Sequence, residues 1–454
     1  MMGRMALADD DSRNSTPSTD LSTRTAPEPP AAALTAAPAA PPGPGAASPA
    51  GPRWLLGLVA AGMVIAALNL RPAISGLGPL LEEVRRGLHM NGTVAGLLTS
   101  VPSLCFAVFG GLAPRLARRR GPATVVLGGM VAIALGLALR PLAGGTTAFL
   151  AATALALAGI AVSNVLMPVV VKHWFPDRVG SMTGLYSMAL ALGTAGAAAV
   201  TVPMTDALGG SWRVGLGAWA LLAAVAVVPW AVISRGRSDR APGAQSAPET
   251  VPGQPGEQAA TGLRITKSPT AWALGVFFGL QASAAYITMG WLPQIFRDAG
   301  VSASAAGVML AVTMGMGVPL SFVLPKLAAR MRHQGPLVFA LGVCGLVGYA
   351  GLWFAPAAGA WVWALVLGVS NCAFPLALTM IGMRSRSHTG VVKLSAFAQS
   401  TGYLISIPGP LLVGSLHDVS GGWHLPLLLM AALMLAQMAT GLLAGRDRVI
   451  EEGR

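Results

Sequence analysis

The sequence predicts an all-α membrane protein with twelve transmembrane helices, arranged as two pseudo-symmetric bundles of six. Three observations predict it. Charged residues make up only 10% of the 454 positions and hydrophobic residues 54%, whereas a soluble domain carries about 25% charged residues. The apolar residues collect into separate runs of about 20, the length of a helix that spans a hydrocarbon core, and the mean hydropathy is +0.64. The second half of the chain also repeats short patterns of the first. Short alternating segments of the kind that build a membrane barrel are absent, which leaves helices as the spanning structure.

In chain order, residues 1–52 are rich in Ala, Pro, Ser and Thr without apolar periodicity and are expected to form a disordered cytoplasmic tail. The first apolar run begins near Trp54 and is too long for the h-region of a cleavable signal peptide. An N-terminal six-helix bundle is expected over 53–233, with spans at 54–81, 92–113, 123–142, 147–171, 179–204 and 212–233. The segment 234–268, rich in Pro, Gly, Gln and Arg, is expected to be a cytoplasmic linker. A C-terminal six-helix bundle is expected over 269–445, with spans at 270–295, 302–325, 336–355, 360–383, 391–414 and 423–444, followed by a cytoplasmic tail at 446–454.

Basic residues set the orientation. Arg115, Arg118, Arg119 and Arg120 follow span 2, Lys172 and Arg178 follow span 4, and Arg235, Arg237 and Arg240 follow span 6. Lys326, Arg330 and Arg332 follow span 8, and Arg384 and Arg386 follow span 10. In the alternate loops the charges cancel: Glu82 and Glu83 against Arg85 and Arg86, and Arg297 against Asp298. Both termini are therefore expected on the cytoplasmic side. With 26 arginines against four lysines and abundant Ala and Gly, the composition suggests a GC-rich bacterial source, so the expected location is the bacterial cytoplasmic membrane.

The repeat is specific in order as well as in residues. Val162-Ser163-Asn164 followed by Pro168 returns as Val369-Ser370-Asn371 followed by Pro375, 207 positions later. Pro114-Arg115-Leu116-Ala117, ending in Gly121-Pro122, returns as Pro325-Lys326-Leu327-Ala328, ending in Gly335-Pro336. Trp212 and Trp423 open spans 6 and 12. Parallel six-helix repeats place their halves about an axis along the membrane normal, with a binding site between them near the midplane.

The net charge of +13 does not imply nucleic acid, because the basic residues lie between apolar spans instead of on one face. Cys105, Cys344 and Cys372 fall in apolar runs without metal-ligand spacing, and no metal or cofactor is expected. The six histidines lie in loops or at span ends, none at a recognisable distance from a nucleophile, and no phosphate-binding glycine loop is present. The chain is not expected to be an enzyme or an ATP-driven pump.

Arg71 is the only charged side chain between positions 54 and 81. An arginine at the centre of a membrane helix costs about 2.5–3.5 kcal/mol on insertion scales, so it faces protein or water and marks function. Its setting is Leu68-Asn69-Leu70-Arg71-Pro72, with a carboxamide before the charge and a helix-bending proline after it. No apolar span supplies an acidic partner: Glu82, Glu83, Asp206, Asp298 and Asp418 all lie toward the outer ends or loops. Two readings stand, a substrate contact through the forked guanidinium donors and a snorkelling side chain that reaches the outer interface.

These features resemble the major facilitator superfamily. The basic turns after spans 2 and 8 are similar to its cytoplasmic loop motif, here with Gly111, Arg115, Arg119 and Gly121, although the motif's acidic residue is missing around Pro114 and Arg115. A narrower resemblance, to the cyanate/nitroimidazole transporter branch, rests on Asn69-Leu70-Arg71-Pro72 with Gly78-Pro79-Leu80-Leu81, then Gly96-Leu97-Leu98-Thr99 and Pro102. It continues in Tyr286 with Trp291-Leu292-Pro293, and in Ser395, Gln399-Ser400, Gly402-Tyr403 and Gly409-Pro410.

In that superfamily the first, fourth, seventh and tenth helices line a central cavity. The resemblance therefore implies that Asn69, Arg71, Asn164, Tyr286, Trp291 and Asn371 surround one space. For Asn164 and Asn371, packing of each half is an equal alternative to substrate contact, because buried carboxamides need partners of either kind. Ser395, Gln399 and Tyr403 share one face of span 11, which points either to the cavity or to a neighbouring helix. Tyr286 and Trp291 supply an aromatic wall or, for Trp291 above all, an interfacial anchor. Lys393 and Arg140 are expected to snorkel to opposite membrane surfaces.

The functional expectation is a secondary active transporter that moves a small anionic or polar, cyanate-like solute across the membrane by alternating access, as a monomer in the lipid bilayer. Efflux of small neutral antimicrobials such as nitroimidazole-like drugs is the alternative. A non-transporting membrane sensor or scaffold is the rival of another class.

Overall fold

The structure, a computed structural model, describes residues 53–235 and 265–452. The expected tail at 1–52, positions 236–264 of the expected linker, and 453–454 lie outside the described residues. The first apolar run becomes α1 (Arg53–Asn69), α2 (Pro72–Ser75), a 3-10 turn at Gly78–Leu80 and α3 (Leu81–Gly87). Then come α4 (Gly92–Arg120), α5 (Pro122–Leu139), α6 (Thr146–Trp174), α7 (Val179–Ala207) and α8 (Trp212–Arg235). The second half contains α9 (Pro269–Asp298), α10 (Ala303–Gly315), α11 (Gly317–Arg330), α12 (Gly335–Phe354), α13 (Ala360–Asn371), α14 (Ala373–Met383), α15 (His388–Ser406), α16 (Pro408–Ser420) and α17 (His424–Ala444).

Local signals explain many of the boundaries. Asn91, Ser268, Ser302 and Ser387 each cap a helix by accepting a bond from the backbone N–H three residues on. Pro72, Pro122, Pro269 and Pro408 occupy the first helical turn, where a missing N–H costs nothing. The last segment of the expected linker is ordered: Ile265–Lys267 forms a 3-10 turn leading into Ser268.

Eleven stretches among the described residues are long and apolar enough to cross a membrane. The expected span missing from these eleven is span 11, the α15–α16 pair, bent at Ile407 because neither Pro408 nor Pro410 can donate to the helix ladder. Three other expected spans are interrupted as well. The first breaks between Asn69 and Pro72, the eighth at Met316 between Gly315 and Gly317, and the tenth at Cys372 ahead of Pro375. By contrast α4, α6, α7 and α8 run unbroken through 29, 29, 29 and 24 residues.

The loops alternate between two ends. At one end Gln334 bonds to Gly445 and Arg384 bonds to both Gln334 and Ala444, which gathers the loops after spans 8, 10 and 12. The helix ends bearing Arg118, Arg119, Arg120, Lys172, Arg235 and Arg330 alternate to this basic end. At the other end Thr146 donates to Leu88 and Arg213 to Pro141 and Ala143, joining the loops after spans 1, 3 and 5. Between the halves, α4 packs against α15 and α16, and α7 against α10. The two contacts are equivalent under the repeat, span 2 meeting span 11 as span 8 meets span 5.

Candidate substrate cavity

A cavity of about 320 Å³ lies between the two bundles. Its wall is contributed by α7, α9 and the interrupted pairs α10–α11 and α13–α14, with Tyr403 from α15 and Arg71 from the first break. The interruptions explain this position. A broken helix frees backbone polar groups, which a membrane protein tolerates only where they are buried in protein or face a water-filled space.

Arg71 sits at the break itself. Pro72 starts α2, so Arg71 takes the N-cap position with φ −127° and its carbonyl accepts from Ile74 and Ser75 at 2.9 and 3.0 Å. The Ser75 hydroxyl adds a third bond to the same oxygen at 3.1 Å. This fixes the backbone and leaves the side chain half-buried on the cavity wall, within electrostatic reach of the hydroxyls of Tyr186, Tyr286 and Tyr403. Among the described residues no carboxylate forms an ion pair with it.

Tyr286 is buried and borders the cavity next to Met289 and Gln281. The Tyr403 ring is held from both bundles, stacked on Phe106 at 5.0 Å and edge-on to Phe278 at 5.3 Å. Asn371 is half-buried in the wall, and its position follows from Pro375, which has no N–H for the Asn371 carbonyl four residues back. Gln281 Nε2 supplies the missing donor at 3.3 Å and reaches Asn371 Oδ1 at 3.4 Å. The Gln281 Oε1 atom is buried with no partner of its own.

Of the residues expected around one space, Arg71, Tyr286, Asn371 and Tyr403 meet there, and four others do not line this cavity. Asn69 is 1% exposed and donates to the Ile65 and Leu222 carbonyls at 2.8 and 3.2 Å, tying α1 to α8. Asn164 accepts from Tyr186, a packing bond between α6 and α7 that reaches Arg71 only through that tyrosine. Trp291 is fully buried near the end opposite the basic one, against Trp423 at 5.9 Å and His417 at 6.5 Å. It lies on the same long helix as Tyr286 but beyond the cavity. Gln399 turns to Ser395 at 2.7 Å, one turn away on its own helix. The shared face of span 11 divides, and only Tyr403 reaches the cavity.

One further expectation changes. Arg140 does not snorkel: it is 1% exposed and hydrogen-bonded inside the N-terminal bundle. Arg384, one of the basic residues after span 10, is also the buried tie between three loops at the basic end. The sequence reading also missed Gln281, a lone carboxamide in an apolar run like Asn371, together with Thr194 and Ser187 on α7.

The hydrogen bonds that join the halves among the described residues lie from mid-height toward the end opposite the basic one. Ser406 donates to Ser103 at 2.8 Å, Ser415 to Thr93 at 3.1 Å, and the backbone of Gly92 to Asp418. Arg297 holds Glu83, and Arg85 lies 3.6 Å from Asp418. Glycines permit the close approach: Gly78 lies against the Met289 carbonyl, and a Cβ on Gly290 would sit 2.5 Å from Thr99 Cγ2. The cavity is therefore sealed on that side, while residues such as Ser321 and Leu378 carry its wall toward the basic end.

A polytopic helical protein with repeated halves and a central cavity closed at one end is a membrane transporter by architecture. The chain belongs to the Major Facilitator Superfamily, whose family model matches residues 63–407. It is 32% identical to the 2-nitroimidazole transporter of Escherichia coli (strain K12), over 86% of this chain and 96% of that one. It is 31% identical to the cyanate transport protein CynX of Escherichia coli (strain K12), over 80% of this chain and 90% of that one. Among solved structures, the nucleoside transporter NupG superposes with a TM-score of 0.69 at 13% identity, covering 86% of this chain and 98% of NupG, a likeness of fold.

Proposed function

We propose that this protein is a secondary transporter that moves a small anionic or polar solute, cyanate-like in size and charge, across the bacterial cytoplasmic membrane by alternating access. The observation that carries this reading is a guanidinium that has no carboxylate partner among the described residues, on the wall of a cavity between two bundles. A small anion entering the cavity exchanges water for the donors of Arg71 and the adjacent tyrosine hydroxyls, and cancels a charge that the bilayer penalises. That gives the loaded cavity a lower cost of closure than the empty one. Asn371 and Gln281 offer carboxamide groups on the facing wall for the remaining polar edge of the solute.

The basic end belongs in the cytoplasm under the positive-inside rule, so this conformation is the inward-open one and both termini are cytoplasmic. The protein acts as a monomer, since the cavity is complete within one chain. A second reading is favoured by the apolar share of the wall: Met289, Met314 and Phe374 suit a flat heteroaromatic ring, as carried by the relative named for 2-nitroimidazole.

Reconstituted vesicles test both readings with radiolabelled cyanate and 2-nitroimidazole. The anion reading expects cyanate flux in the wild type, partial flux in Arg71→Lys, and none in Arg71→Ala despite normal insertion. Undiminished cyanate flux through Arg71→Ala would sink it. Flux of 2-nitroimidazole alone selects the second reading.

A further inference from the structure

Arg140, like Arg71, is a cation held within the apolar body of the N-terminal bundle. It opens a short 3-10 turn directly after α5 and is 1% exposed. Its Nε donates to Thr153 Oγ1 at 3.0 Å and its Nη1 to the Ala73 carbonyl at 3.0 Å, and the guanidinium lies 5.5 Å from the Phe149 ring centre. The remaining nitrogen, Nη2, is buried with no partner, and among the described residues no carboxylate pairs with the side chain. A buried charge without a counter-charge is strongly disfavoured in a medium of low dielectric constant.

Beside Arg140 lies a small void of about 10 Å³, roughly the room of one water molecule. Thr99, Thr153 and Gly78 line it from the N-terminal bundle, and Tyr286 and Gly290 close it from the C-terminal one. Tyr286 also lines the large cavity, so this one side chain borders both the void at Arg140 and the space at Arg71. The lid is part of the seal between the halves, where Gly290 meets Thr99 and Gly78 meets Met289.

We propose that Arg140 is a second anion-binding site on the transport path, sealed here by Tyr286 and Gly290 and presented to a monovalent anion when the halves part at this end. The proposal rests on the anion-transport reading of the Arg71 cavity. Withdrawal of α9 uncovers Nη2 and gives the charge the partner it lacks. Return of α9 shrinks the space to the volume of a single water, too small for an anion. Closure and occupancy are then mutually exclusive, and the closing helix drives the anion past Tyr286 toward Arg71. The two arginines act in sequence, one in each half of the transport cycle.

Replacing Arg140 risks misfolding, because it bonds the Ala73 backbone, so the test leaves it in place. The full-length protein is treated with the arginine reagent phenylglyoxal, and modification at Arg140 and Arg71 is followed by peptide mass spectrometry. The wild type is compared with Glu83→Gln and Gly290→Val, which loosen the seal, in sodium cyanate or in sodium gluconate at equal ionic strength. Arg140 is expected to react slowly in the wild type, faster in both variants, and about tenfold more slowly again in saturating cyanate. An Arg140 that stays unreactive in both variants, or reacts equally in cyanate and gluconate, overturns the proposal and leaves Nη2 to a water. Protection of Arg71 in the wild type reports separately on the anion-transport reading: its loss with Arg140 still protected condemns that reading alone.

Discussion

Arg297 crosses from one half of the molecule to the other and grips Glu83 with both terminal nitrogens, at 2.8 and 2.6 Å, while Nη1 also donates to the Pro79 carbonyl at 2.9 Å. Forked arginine–carboxylate geometry of this kind outperforms an ordinary surface ion pair. In the alternating-access cycle proposed above this bond breaks when this end opens, so its free energy favours the closed conformation.

Glu83→Gln is accordingly expected to shift the balance toward opening at this end by about 1 kcal/mol, roughly fivefold in population. Leu80, buried at the seal, provides the reporter: thiol labelling of Leu80→Cys is compared in an otherwise wild-type and a Glu83→Gln background. Equal labelling in both would mean that apolar packing alone holds the seal.

Gln281 is predicted to serve folding as well as binding. Gln281→Leu leaves the Asn371 carbonyl, already released by Pro375, without its side-chain donor. A buried carbonyl deprived of its donor costs about 1–3 kcal/mol, so the unfolding temperature in detergent should fall. Gln281→Glu is expected to weaken cyanate binding through repulsion even where stability survives.

His417 is predicted to give the sealed end a pH response. It packs against Trp423 at 4.4 Å and faces Asp298 at 3.8 Å, with Arg85, Asp418 and Glu82 in electrostatic range. Burial pushes its imidazole below the usual range, with the Asp298 carboxylate opposing. Closure therefore disfavours the protonated ring. Its contribution to the closed form is complete above the ordinary histidine value of about 6.5 and is lost as the pH falls through the lowered value. Acidification of that face should increase labelling at the seal, and His417→Gln should flatten the response.

Asn69 is expected to behave as a structural residue despite its place beside Arg71. Asn69→Leu removes the bond to Leu222 and should lower thermal stability by about 1 kcal/mol while the KM for cyanate stays close to that of the wild type. A large rise in KM at unchanged stability would return Asn69 to the site.

The helical architecture was legible because span length and the repeat both follow from solvent and symmetry. The interruptions were less so. Pro72, Pro375 and Pro408 were visible, but a proline only permits a break: Pro102 and Pro114 sit inside the continuous α4. At Pro375 the break is accompanied by another group taking the freed carbonyl, as Gln281 does for Asn371. The cavity residues divided for a similar reason. Arg71 stood out by charge, whereas Asn69 and Asn371 are the same residue type in similar runs, and only the neighbouring helix decides which is packed away. Arg140 was misplaced because distance along a helix gives depth in the membrane and not the direction in which a side chain points.

The breaks at Met316, Cys372 and Ile407 all fall in the second half, whereas α4, α6, α7 and α8 are uninterrupted rods. The two bundles are therefore unequal as machine parts. Beyond the break at Arg71 the N-terminal bundle is a stiff anvil, and the C-terminal bundle carries three joints at the level of the cargo. In the transport cycle proposed above, halves related in sequence would thus divide the labour of the stroke: one holds its shape and the other flexes around what it carries.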